Sequence, residues 1–105
     1  ARDVLLRLAE DPAPAVRVAA LEGLRDEPRD TVRTLALRAA SDVDAAVRAA
    51  AVPLLVDDPT ADASHALSRL EVDAAPRVRG AVRRLASVRA SRTTDVSPAP
   101  DPSAQ

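Results

Sequence analysis

The sequence predicts an all-α chain built as an α-solenoid, an α-α superhelix of three antiparallel helix pairs. Self-similarity is the first observation. A shift of 31 residues brings Asp11, Asp42 and Asp73 into one column, and Arg17, Arg48 and Arg79, each preceded by a valine, into a second. Leu8, Ala39 and Leu70 fall together in the same register, as do Ala20, Ala51 and Val82. Several three-fold columns at one period are the mark of a repeat architecture. The second observation is the apolar spacing inside each unit. Val16, Ala20 and Leu24 recur at steps of four, and Val47, Ala51 and Leu55 repeat that stripe. Such steps place side chains on one face of an α-helix. The third is punctuation: Asp26-Glu27-Pro28 aligns with Asp57-Asp58-Pro59.

Six helices follow in order, at roughly 2–10, 14–25, 28–40, 45–56, 60–71 and 76–90. The first carries Val4, Leu5, Leu6 and Leu8, apolar over much of its circumference. The second opens on Pro14, where the missing N–H is not needed. Pro28 suits the first turn of the third helix for the same reason, and Pro59 that of the fifth. Asp44 reads as the N-cap of the fourth. Pro53 lies inside that helix and should kink it or leave the carbonyl of Ala49 facing water. The sixth opens on Pro76. The short connections favour antiparallel neighbours. The repeat domain is read as residues 1–91, in units of about 1–26, 27–57 and 58–90, and residues 92–105 as a disordered tail with no apolar period.

Composition limits the function classes. The 105 residues suit one domain, and 47% hydrophobic with 30% charged residues fits a folded chain. There is no Phe, Trp, Tyr, Met or Cys, and all basic residues are Arg. A core of Leu, Val and Ala lets helices pack closely, but each side chain buries little area, so stability rests on many repeated contacts. Without cysteine there is no disulfide framework and no thiolate chemistry. No apolar run is long enough to span a bilayer, and no segment reads as a signal peptide, so a cytoplasmic location and no membrane partner are expected. A net charge of -1 gives no global attraction to nucleic acid.

Asp, five residues, then Arg preceded by Val, followed by an Ala/Leu stripe, resembles the HEAT repeat. The short unit is similar to the bacterial, phycobilisome-lyase-like HEAT repeats, over residues 1 to about 90. The resemblance implies antiparallel helix pairs stacked into a curved solenoid with the second helices lining a concave, partner-facing side. It also implies that Asp11, Asp42 and Asp73 with Arg17, Arg48 and Arg79 form a structural ladder between units. The third unit departs from the pattern: Arg83 stands where Leu21 and Val52 stand, Ala86 where Leu24 and Leu55 stand, and Ser68 where Leu6 and Leu37 stand. That polarity fits a C-terminal cap. The first helix shows no such softening, so further N-terminal repeats are expected to pack on it.

No residue makes a case for catalysis, and neither a metal nor a cofactor is expected. His65 is the single histidine, and one His without Cys cannot form the usual zinc site. The acidic turns Asp26-Glu27 and Asp57-Asp58 read as charges serving the starts of the helices that follow. Arg7–Asp11, Arg38–Asp42 and Arg69–Asp73 are spaced for i, i+4 pairs across a helix end, worth about 0.3–0.5 kcal/mol when exposed. The leading function is a non-catalytic scaffold for a protein partner, the C-terminal part of a longer solenoid. Arg25, Val52, Val56, Arg83 and Arg84 are the candidate partner-binding residues. One alternative is nucleic-acid binding, as in the HEAT-like alkylpurine DNA glycosylases. It would use the run Arg77, Arg79, Arg83, Arg84, Arg89 and Arg92, which no acid interrupts, but no aromatic side chain is present to stack on a base. The other is an accessory part of a lyase-type HEAT-repeat enzyme. The iron-dependent hydroxylases of the family use His-Glu motifs, and none is present here.

Overall fold

The computed structural model describes residues 2–95. Those residues form six α-helices and no strand: α1 (Arg2–Leu8), α2 (Pro14–Glu22), α3 (Arg29–Ala39), α4 (Ala45–Leu55), α5 (Ala61–Glu71) and α6 (Pro76–Asp95). The class is therefore all-α.

The helix starts follow local chemistry. Pro14 and Pro76 occupy the first helical residue of α2 and α6, where a fixed φ helps and the lost N–H is one of the orphans. Asp44 caps α4, its Oδ1 accepting the Ala46 N–H at 2.8 Å. Thr60 caps α5, its hydroxyl accepting the Ala63 N–H at 3.2 Å. Pro28 and Pro59 stand just outside α3 and α5 rather than in their first turns. Proline restrains the residue before it to extended backbone, and it punctuates a helix equally well from just outside. α2 stops at Glu22, short of the expected 25, with Gly23 as its C-cap. A Cβ at position 23 would come within 2.9 Å of Leu5 Cδ2, so a larger residue there would turn the end of the Leu5 side chain aside. α4 runs through the exposed Pro53 without interruption. α6 continues to Asp95, so residues 92–95, expected in the tail, are helical; 96–105 lie outside the described residues.

α4 is the hub. It packs against α2 and α3 on one side and α5 and α6 on the other. Its sequence, with Arg48 as the single charge, is apolar nearly all round, as a helix enclosed by neighbours must be. Val47, Ala51, Val52 and Leu55 are buried on it, and Leu24, Leu70 and Val78 join them in one continuous core. Alanines 36, 51, 63 and 66 have no exposed surface at all. Small side chains at these crossings let the helix axes approach, and dispersion contacts are then spread over many atoms.

Candidate functional site

The most regular feature of the molecule is a row of arginine–aspartate contacts between successive repeats. Arg17, in the first turns of α2, reaches across to Asp42 in the α3–α4 connection. Its Nε donates to Oδ2 at 2.9 Å and its Nη2 to Oδ1 at 2.8 Å. Arg48, at the same place in α4, does the same to Asp73 in the α5–α6 connection, at 2.8 and 3.0 Å. Two parallel N–H···O bonds to one carboxylate fix both distance and orientation. The third edge of each guanidinium points home. Arg17 Nη1 donates to the carbonyls of Asp11 and Pro12, and Arg48 Nη1 to those of Asp42 and Val43. Arg79 Nη1 donates likewise to the carbonyls of Asp73 and Ala74, at 2.6 and 3.0 Å.

Each aspartate is also preorganised by its own chain. Oδ1 of Asp11, Asp42 and Asp73 accepts the N–H two residues on, at 2.8–2.9 Å. This Asx turn aims the remaining lone pairs away from the helix it precedes. The expected i, i+4 pairs do not form in its place: Asp42 and Asp73 point to Arg17 and Arg48, and Arg38 reaches Glu10 instead, at 2.7 Å.

The electrostatics agree with the geometry. For Asp42, burial is the largest single influence and pushes the carboxyl upward. The Arg17 hydrogen bond, the Asp44 N–H and the charges of Arg17 and Arg48 together outweigh it, and the carboxyl stays below the ordinary range. For Asp73 the Arg48 hydrogen bond leads and burial opposes it. The Ala75 N–H and the charges of Arg48 and Arg79 add to the downward shift.

A second acidic site is deeper. The side chain of Asp58, in the α4–α5 connection, has no exposed surface. Its Oδ1 accepts from the Thr60 N–H at 2.9 Å and the Thr60 hydroxyl at 2.6 Å. Its Oδ2 accepts from Arg33 Nε at 2.9 Å, with Arg29 at 3.6 Å. The Thr60 hydroxyl is the chief cause holding this carboxyl below its usual range. Burial opposes it, and the Thr60 N–H and Arg33 reinforce it. The acidic turn does serve a helix start, through Thr60. Sequence reasoning misses Arg33. Its signal is the separation of 25 residues from Asp58, the same as in Arg17–Asp42 and Arg48–Asp73.

The five candidate partner-binding residues are not brought together. Arg25 borders a groove of about 420 Å³ between α2, α3 and α4, with Glu22, Pro53 and Leu54. Val52 and Val56 border a different groove of about 520 Å³ between α4, α5 and α6, with Leu67, Val82 and Ala86. Val52 itself is fully buried, because α6 packs over that side of α4, so it forms floor and not surface. Arg83 and Arg84 are exposed on α6 and border neither groove. His65 is exposed on α5. No group of three His, Asp or Glu side chains among the described residues is disposed to hold a metal ion. No helix among them is long and apolar enough to cross a membrane.

These contacts define a helical repeat-like all-α protein. No protein family matches the sequence, and comparison with curated proteins and with solved structures finds no match.

Proposed function

We propose that this chain is part of a HEAT-like α-solenoid that binds a protein partner and catalyses no reaction itself. The observation that carries the reading is the recurrence of one bidentate arginine–aspartate contact at a 31-residue step, Arg17–Asp42 and Arg48–Asp73. A contact that recurs at a fixed step supports a like relation between successive units, as in a solenoid. The dimensions favour it too. The described residues extend 61 × 31 × 22 Å with a radius of gyration of 16.3 Å, against about 13 Å for a compact domain of this size. Extended stacks of this kind offer long docking surfaces. The groove between α4, α5 and α6 has an apolar floor of Val52, Leu67 and Val82 and a polar rim that includes Glu71. That composition suits an amphipathic segment of a partner protein.

The test is affinity capture with the native protein and with two variants. Ala86→Arg fills the groove from an exposed position, and Arg83→Glu/Arg84→Glu reverses charge on α6. Titration of each captured partner should show a loss of about tenfold or more for the groove variant. A partner that binds native and both variants equally would remove this side of the molecule from the reading.

A second reading, nucleic-acid binding, is favoured by one observation: Arg77, Arg83 and Arg84 are all exposed on α6. Fluorescence anisotropy with duplex and single-stranded DNA at low salt decides it. A flat titration excludes it, because phosphate contacts are strongest there.

A further inference from the structure

The groove of about 420 Å³ between α2, α3 and α4 is built for a different partner chemistry from the one between α4, α5 and α6. Both of its walls come from repeats inside the described residues. Its floor is apolar, with Leu21 and Val32 buried there and Leu54 beside them. Its rim is charged, with Glu22, Glu27 and Asp57 against Arg25 and Arg29. Arg29 is already engaged: its Nη1 donates to the Leu54 carbonyl at 3.3 Å and lies 3.6 Å from Asp58. The rim acids therefore outnumber the one remaining arginine, Arg25.

The backbone adds to the same sign. α2 ends at Glu22 and α4 at Leu55, and the groove runs between these two ends. Neither helix carries a basic residue in its last turn, whereas α1, α3 and α5 carry Arg7, Arg38 and Arg69. A helix C-terminus holds a partial negative charge that such residues ordinarily offset. Pro53, in the groove wall, has no N–H, so the Ala49 carbonyl one turn earlier loses its helical donor. We propose that this groove receives a basic amphipathic helix of a partner protein, with aliphatic side chains on the floor and lysine or arginine heads at Glu22 and Asp57. The inference rests on the reading of the chain as a protein-binding scaffold and assigns it a second docking surface. A helix in a groove presents apolar anchors at i, i+3, i+4 and i+7. Its long basic side chains keep their stems on apolar surface while their heads reach the rim. Glu22 and Asp57 are exposed, so their attraction steers the approach and weakens as salt is added.

Fluorescence anisotropy of the 105-residue chain with a labelled helical peptide at low salt tests this. The peptide carries leucine at i, i+3, i+4 and i+7 and lysine at the flanking positions; a second peptide has glutamate in place of each lysine. The lysine peptide should bind, and about tenfold or more tighter than the glutamate peptide. Glu22→Gln/Asp57→Asn should weaken the lysine peptide about fivefold to tenfold, the scale of two exposed charge pairs. Neither carboxylate pairs with another described side chain, so the double variant keeps the fold. Asp62→Asn, which removes the same charge from the exposed side of α5, should leave binding unchanged. So should Ala86→Arg, which fills the other groove. Arg25→Gln should tighten binding, because it removes the like charge on the rim. A lysine peptide that does not bind overturns the inference. So does one that binds the double variant as well as the native chain, or one that is lost with Ala86→Arg. Failure of the scaffold reading shows differently, as affinity capture that returns no partner whatever the peptide does.

Discussion

Asp42 and Asp58 are chemically alike and structurally similar in role. Each sits in a short connection, each accepts the N–H two residues on, and each is met by an arginine 25 residues earlier. They differ in enclosure. Asp42 takes two bonds from one guanidinium and keeps 15% of its side-chain surface. Asp58 keeps none, and its carboxylate is shared among Thr60, Arg33 and Arg29. The same Asp–Arg pairing therefore serves two ends. In the ladder it sets the spacing of one repeat on the next. At Asp58 it neutralises a carboxylate that the packing of α4 against α5 has removed from water. A buried charge is tolerable only when paired and hydrogen-bonded, so the two sites should answer differently to the same perturbation.

Acid should produce the largest effect. Asp42, Asp58 and Asp73 are all held below the ordinary carboxylate range in the folded chain. The unfolded chain therefore binds protons first as pH drops. The stabilisation is complete above the unfolded value of about 3.9 and is lost as pH falls through the folded values. Thermal unfolding followed by circular dichroism should show a midpoint that is flat near neutrality and falls below about pH 4. Asp58→Asn should flatten that fall more than Asp42→Asn does. Equal flattening would show that enclosure does not separate the two sites.

Next in size is Asp58→Ala. It leaves Arg33, whose side chain is 24% exposed, with only the exposed Asp30 at 3.2 Å, and removes the acceptor for Thr60. The expected loss is about 3 kcal/mol in denaturant unfolding, the lower end for breaking a buried pair. Arg48→Ala follows at about 2 kcal/mol, because it strips Asp73 of two hydrogen bonds and frees the carbonyls of Asp42 and Val43. A larger loss for Arg48→Ala than for Asp58→Ala would mean that repetition along the ladder matters more than burial.

The contrast also explains what can be read in the sequence. Asp42, Asp73, Arg17 and Arg48 stand in columns, so the 31-residue period by itself shows that they share a role. Pro14, Pro76 and Asp44 mark helix starts through chemistry that acts within a few residues. Arg33 and Asp58 belong to no three-fold column, since Ser64 and Arg89 take their places in the last unit. The first unit keeps the same charges, Arg2 and Glu27, and a column matched in only two units is a weaker sign than one matched in three. Val52 is misplaced for another reason: α4 is apolar on nearly every side, so no stripe tells which side meets α6. The end of α6 is cut short in the sequence because Ser91, Arg92, Thr93 and Thr94 show no apolar step. Extending a helix that already exists needs only one more hydrogen bond per residue, and no packed face.

The smallest effect expected is at Glu10–Arg38, and it tests the ranking most sharply. At 2.7 Å this pair is shorter than Arg17–Asp42 at 2.8 Å. Distance alone would rank it above that pair. Yet 62% of Glu10 and 56% of Arg38 remain exposed, against 15% and 14% for Asp42 and Arg17. Water and salt screen an exposed pair, and holding two long side chains in one geometry costs entropy. Glu10→Gln should therefore lower stability by about 0.5 kcal/mol or less, and that loss should vanish in high salt. A loss matching that of Arg48→Ala would mean that contact between repeats, and not removal from water, sets the strength of these pairs. The ladder and Asp58 would then be one kind of site.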